Sequence, residues 1–337
     1  MAYSIGSEEP ADKAIRRVLR EQSARILALL SQWEAEPADS IHRARQSCKR
    51  ARAVAQLLKP AVPYAARVEN SFFREIQKCV AYARDAEALV EALDYLEIGV
   101  TEPRLAESVA MLRDSLAARA IQDLDAHRAK LRDQIETACN LLGDADRRLA
   151  MLPLADLRRR DLRRGADQTW DRCAADFACL QPDSTAAAFH SWRRQVKYAA
   201  NQSQLLSALA PVHAVTLGPR LRELASLLGH AQDLELLEAL LRRQPDALRI
   251  DTHVQRLRHL IASSLVQLHH RALEVGGELF RSEAVRESEV TGLSVTEWQR
   301  DGKETATTGG EHPPSVARPV ISDRDPDSSR RRQYSGP

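Results

Sequence analysis

An all-α fold, assembled twice from one pattern, is what this sequence predicts, and three observations predict it. Glycine supplies only 13 of 337 residues and aromatics 4%, which points away from sheet-rich folds, while an apolar content of 44% is enough for a large buried core. Long segments carry apolar residues at helical spacing and are punctuated by Pro and Gly. Two stretches 148 positions apart repeat the same residues at the same spacings. His42, Arg45 and Lys49 return as His190, Arg193 and Lys197, and Arg74, Glu75 and Asp85 return as Arg222, Glu223 and Asp233.

In chain order the periodicity predicts helices over 12–33, 40–59, 64–98 and 103–142, then over 154–180, 184–209, 214–243 and 247–279, four in each half. Breaks fall at Pro37, Pro60 and Pro63, Pro103, Gly143 and Pro153, Pro182, Pro211 and Pro245. Asp39 or Ser40 and Asp183 or Ser184 are the expected N-caps of the two helices that carry the repeated histidines, because their side-chain oxygens accept from first-turn amides. The first half spans 11–150 and the second 151–280. Residues 281–337 contain few large apolar side chains, a Thr/Gly cluster and several prolines, and are expected to be a disordered tail.

Net charge is only +2, so affinity for anions must come from segregation of charge. From Ser40 to Val68 and from Ser184 to Arg222 there is no Asp or Glu. At the chain's average density those 68 positions would hold about nine acids; they hold none, and twelve Lys and Arg. On a helical wheel, Arg45, Lys49 and Arg52 lie within about 80° of His42, while Ile41, Ala44, Cys48, Ala51, Ala55 and Leu58 gather opposite. The second copy divides in the same way, with His190, Arg193, Arg194 and Lys197 in the stripe and Phe189, Trp192, Val196 and Ala199 on the core side. Stacked like charges cost a few tenths of a kcal/mol per pair, so an external anion or acids from a neighbouring helix must neutralise them.

Arg74 and Asp85 are eleven residues apart and share a helix face, as do Arg222 and Asp233. The two arginines extend the cationic surface. Asp85 and Asp233 are read as carboxylates that orient a neighbouring Lys or Arg rather than as metal ligands, since no second and third carboxylate stand at helical spacing beside them. Arg16, Arg17, Arg20 and Arg25, and Arg119, Arg128, Lys130 and Arg132, have acids interspersed and read as solvated faces.

Other classes of function lose ground on the same sequence. The five cysteines are odd in number with no CxxC pair, so reduced thiols in a cytoplasmic protein are expected rather than a disulfide framework or a zinc ribbon. The N-terminus lacks the pattern of a signal peptide, and no apolar run is long enough to span a membrane. No P-loop, HExxH or GxSxG motif is present, and no cofactor or metal site is expected. A metal-dependent phosphohydrolase needs a carboxylate cluster, which the acid-free windows argue against. A nucleic-acid binder normally adds stacking aromatics, and Tyr198 is the only aromatic near the stripes, which disfavours sequence-specific or single-strand recognition and leaves nonspecific phosphate-backbone contact open.

At these residues the sequence resembles the CHAD domain, the conserved histidine α-helical domain. Its two hallmark segments are met by HRARQSCKRAR at 42–52 and HSWRRQVKYAAN at 190–201, and its following helices by YARDAEAL at 82–89 and LLGHAQDLELL at 227–237. The resemblance, over about 11–280, implies two four-helix bundles related by an approximate two-fold axis, with a basic channel that binds inorganic polyphosphate and can place the protein on polyphosphate granules. Carried over by position, the anion-binding set is His42, Arg45, Lys49, Arg50 and Arg52 from one half and His190, Arg193, Arg194 and Lys197 from the other. Two departures stand out: Tyr198, Ala200 and Asn201 replace a more basic continuation, and Lys49 replaces an Arg, keeping the charge without the planar fork.

Overall fold

A computed structural model describes residues 3–80, 82–100, 102–243 and 252–281. These residues form α1 (Ala11–Ser31), α2 (Pro37–Leu57), α3 (Pro63–Cys79), α4 (Tyr82–Gly99), α5 (Pro103–Ala126), α6 (Arg128–Gly143), α7 (Ala145–Ala150), α8 (Arg159–Ala178), α9 (Ala186–Leu205), α10 (Pro211–Arg242) and α11 (Thr252–Phe280), with no strand among them. The expected tail lies outside the described residues except for Arg281, as does the break at Pro245. Among the described residues no helix is long and apolar enough to cross a membrane.

Helix starts follow proline more than the expected polar caps. Pro37 opens α2, three residues ahead of the predicted start, because its fixed φ suits the first turn and its missing N–H would have no partner there. Asp39 and Ser40 are therefore inside the helix; Asp39 accepts from Arg43 at 2.9 Å and sits favourably at the positive end of the dipole. On α9 the cap moves one residue beyond the expected pair: Thr185 Oγ1 accepts from the amide of Ala188, while Ser184 Oγ accepts from that of Gln181.

Two predicted helices are each divided. The segment expected as 64–98 breaks between α3 and α4 at Val80, and 103–142 breaks between α5 and α6 at His127. Its counterpart in the second half, α10, runs unbroken through the position equivalent to Val80, with Pro219 accommodated inside it. The break in one copy only makes the two halves unequal where the site lies.

Apolar side chains gather in three clusters. The first joins α1, α2, α3, α6 and α7, with Ile15, Leu19, Val54, Phe73 and Ile76 at its centre, and takes in Leu205, Leu206 and Leu209 from the end of α9. The second joins α8, α9, α10 and α11 around Trp192 and Phe177. The third brings α4 and α5 against α10 and α11 through Leu93, Leu96, Val109, Leu234 and Ile261. Apolar contacts thus run across the two halves of the sequence, and α2 packs directly on α8 and α9.

Trp192 secures the packing of α9 against α8 and α11. It is fully buried, its indole N–H donates to the Cys173 carbonyl of α8 at 3.1 Å, and a Cβ on Gly276 of α11 would stand 2.8 Å from its ring. Trp192→Ala is expected to lower unfolding free energy by about 3–5 kcal/mol, through lost burial and the cavity left behind, as read from urea midpoints.

Several basic groups away from the repeated stripes are occupied. Arg17 is held by Glu9 at 2.7 Å and Glu21 at 3.1 Å, and Arg132 by Glu34 at 2.7 Å. Arg16 donates to the Ala150 carbonyl at 2.8 Å, closing the end of α7. The sequence reading missed one buried pair: Glu69, 1% exposed, accepts from Arg148 at 3.0 Å, and the guanidinium lies 3.3 Å from the Phe72 ring centroid. Burial pushes the Glu69 carboxyl up, with Arg148 pulling it back.

Candidate anion-binding cleft

A cavity of about 350 Å³ opens where the first and second halves meet. One wall carries Lys49 and Arg52 of α2 with Arg74 and Gln77 of α3. The other is a single helix, α9, presenting His190, Arg193, Arg194, Lys197, Tyr198 and Asn201. Of these ten residues, six are Lys or Arg and none is acidic. Each wall is the polar side of a helix whose opposite side is core: Cys48, Ala51 and Ala55 on α2, and Phe189, Trp192 and Val196 on α9, are buried. The apolar half of each helix thereby fixes which way its cations point.

The lining is cationic, and the contacts of its side chains show how each is oriented. Arg52 donates three hydrogen bonds, from Nε to Asn70 Oδ1 at 3.1 Å, from Nη1 to Gln77 Oε1 at 2.7 Å and from Nη2 to Tyr198 Oη at 3.1 Å, and every acceptor is neutral. Arg193 donates to Gln232 Oε1 of α10. Burial pushes the Glu235 carboxyl up, and the nearby charge of Arg193 draws it back down, so one acid of α10 feels this cation without lining the cleft. Arg74 approaches Glu75 only at 3.9 Å, and that carboxylate is closer to Lys78, at 3.0 Å. Arg194 reaches Ser191 Oγ at 3.3 Å.

Seven of the predicted residues therefore share one cleft: Lys49, Arg52, Arg74, His190, Arg193, Arg194 and Lys197. Four predicted residues are not among its lining. Arg45 donates to the carbonyls of Gln77 at 3.0 Å and Val80 at 3.4 Å, capping the end of α3. His42 is half-buried beside Gln46, with 2.7 Å between His42 Nε2 and the Gln46 amide nitrogen. Arg50 lies over the ring of Tyr3, 5.2 Å from its centroid, on the flank of α2 that meets the N-terminal segment. Arg222, exposed on α10, lies against Gly218, its Nη1 3.3 Å from where a Cβ there would be.

Asp233 is buried on α10 beside Gln232, and the side chain of Asp85 lies outside the described residues. Among the described residues no group of three or more His, Cys, Asp or Glu side chains is placed to hold a metal ion. Sequence reasoning did not single out Asn70 or Gln77, and it named Asn201 and Tyr198 only as departures from a basic motif, with Tyr198 also weighed as a stacking aromatic. Neutral amides give no charge pattern, and only the packing of α3 and α9 beside α2 shows what Arg52 donates to.

Known proteins corroborate the architecture. A family model described as CHAD domain matches residues 17–242. The fold is shared with the crystal structure of the CHAD domain from the plant Ricinus communis, at a TM-score of 0.59 and 16% identity over 86% of this chain and 95% of that one. It is shared also with PptA from Streptomyces chartreusis, at a TM-score of 0.51 and 18% identity over 86% of this chain and 100% of the other. No curated protein matches the chain.

Proposed function

The chain belongs to the CHAD domain family, and from that premise we propose that the cleft between α2–α3 and α9 binds inorganic polyphosphate without turning it over. The observation that carries this reading is the lining itself: six Lys and Arg drawn from both halves, with no acid among them. A linear polyanion with about one charge per phosphate is best met by opposed rows of donors. Cations at i, i+3 and i+7 of a helix rise along about 10 Å. Arginine gives forked, charge-assisted hydrogen bonds to phosphoryl oxygens and lysine a mobile point charge. Metal-assisted hydrolysis would need carboxylates to hold the ion, and the lining offers none. In the cell such binding would place the protein at polyphosphate granules.

The test is a titration of labelled long-chain polyphosphate at rising salt, followed by competition with duplex DNA, RNA, ATP and pyrophosphate. With six cations engaged, log K is expected to fall against log salt with a slope of about −4 to −5. Long polyphosphate should displace the label far better than DNA at equal phosphate. Equal displacement by DNA would support a general phosphate-backbone binder instead, and metal-dependent release of phosphate would support a hydrolase.

A further inference from the structure

Arg52 is held differently from two other half-buried arginines, Arg17 and Arg148. Arg17 is held by Glu9 and Glu21, and Arg148 by Glu69, so their charges are met by carboxylates. The three acceptors of Arg52 are an asparagine amide, a glutamine amide and a tyrosine hydroxyl, which fix its orientation, and among the described residues no carboxylate pairs with it. Gln77 is itself oriented, because its Nε2 donates to the Arg45 carbonyl at 3.5 Å and turns Oε1 towards Arg52.

Tyr198 completes this arrangement from the opposite wall. Its ring is buried, 9% exposed, and its hydroxyl accepts from Arg52 across the cleft. A phenolic hydroxyl that accepts one bond still has its own proton to donate, and among the described residues no acceptor takes it. Both groups line the cleft. The arrangement also falls outside the duplication: 148 positions on from Arg52 stands Ala200, and 148 positions back from Tyr198 stands Arg50. It therefore occurs once, in a cleft where Lys49, Arg74, Arg193 and Lys197 come from repeated positions.

We propose that Arg52 and Tyr198 form a single fixed anchor for one phosphoryl group, with the Tyr198 hydroxyl donating to a phosphoryl oxygen while Arg52 supplies charge-assisted donors to the same group. This rests on the polyphosphate reading above and deepens it. The remaining cations hold the chain electrostatically at any register, whereas the anchor contributes a part of the affinity that salt does not screen, because Tyr198 carries no charge.

The experiment uses the full chain and a fluorescent polyphosphate of defined length, with Kd measured across a salt series for the wild type, Tyr198→Phe and Gln77→Glu. Tyr198→Phe is expected to weaken binding about tenfold at every salt concentration, with a line parallel to that of the wild type. Gln77→Glu, close in shape, sets a carboxylate against Arg52 and is expected to weaken binding and reduce the slope by about one. Circular dichroism and urea midpoints establish that each variant is folded; should Tyr198→Phe fail to fold, Gln77→Glu decides. A Tyr198→Phe protein that binds within twofold of wild type overturns the anchor, as does a loss accompanied by a shallower slope or a folded Gln77→Glu that binds like wild type. Those outcomes leave the polyphosphate reading intact, whereas an unaltered chain that binds no polyphosphate overturns both.

Discussion

Replacing Arg193 and Lys197 together by glutamine is expected to weaken polyphosphate binding by two orders of magnitude or more, while leaving the helical circular dichroism unchanged. The two residues stand on successive turns of α9 and supply two of the six cations in the lining. Hydrogen bonds to charged groups contribute about 1.5–3 kcal/mol each, so losing both costs about 3–6 kcal/mol, a factor of at least a hundred. The salt slope should fall by about two. Arg193→Gln and Lys197→Gln keep most of the side-chain volume, and the core side of α9, Phe189, Trp192 and Val196, is untouched. Equilibrium dialysis over a salt series checks both numbers. A double variant with wild-type affinity would place the ligand elsewhere.

The contribution of Arg45 is different in kind from that of its repeat partner Arg193, and the reason shows how far the sequence was legible. The spacing of the duplicated cations predicts equal roles. At Val80, however, α3 ends, and the last carbonyls of a helix have no partners within it, so Arg45 donates to those of Gln77 and Val80. In the second half α10 continues through the equivalent position, no helix end is present, and Arg193 faces the cleft. Apolar periodicity runs on through Val80 in both copies, which is why a single helix over 64–98 was expected. Arg50 illustrates the limit of carrying a motif across by position. Two residues on a helix are about 200° apart, so Arg50 and Arg52 cannot both face one cleft, and Arg50 meets Tyr3 instead. What the sequence did carry was the all-helical class and the meeting of cations from both halves, because amphipathic period and absence of acids are both one-dimensional patterns.

Gly165→Ala is expected to destabilise the fold by about 3 kcal/mol or more. In α8 a Cβ at this position would lie 1.9 Å from the Leu57 carbonyl oxygen and 2.8 Å from its carbon, both backbone atoms at the end of α2. Alanine gains about 1 kcal/mol of helix propensity over glycine, but it cannot fit without parting two helices, and overpacking of this kind outweighs the gain. Because α2 bears one wall of the cleft and α8 packs against α9, which bears the other, the same substitution should weaken polyphosphate binding. Gly277→Ala is the control: nothing lies within 4 Å of its Cβ position in α11, so it is expected to be neutral or stabilising by up to about 1 kcal/mol. Urea unfolding of the two variants and the wild type distinguishes them.

The most direct test of the central claim, that cations from both halves close on one polyanion, is a crystal structure of the protein with a polyphosphate of about ten phosphates. The account predicts a phosphate chain between α2 and α9, touching Lys49 and Arg52 on one side and Arg193 and Lys197 on the other. A chain bound to one half alone, or seated away from this cleft, would contradict it.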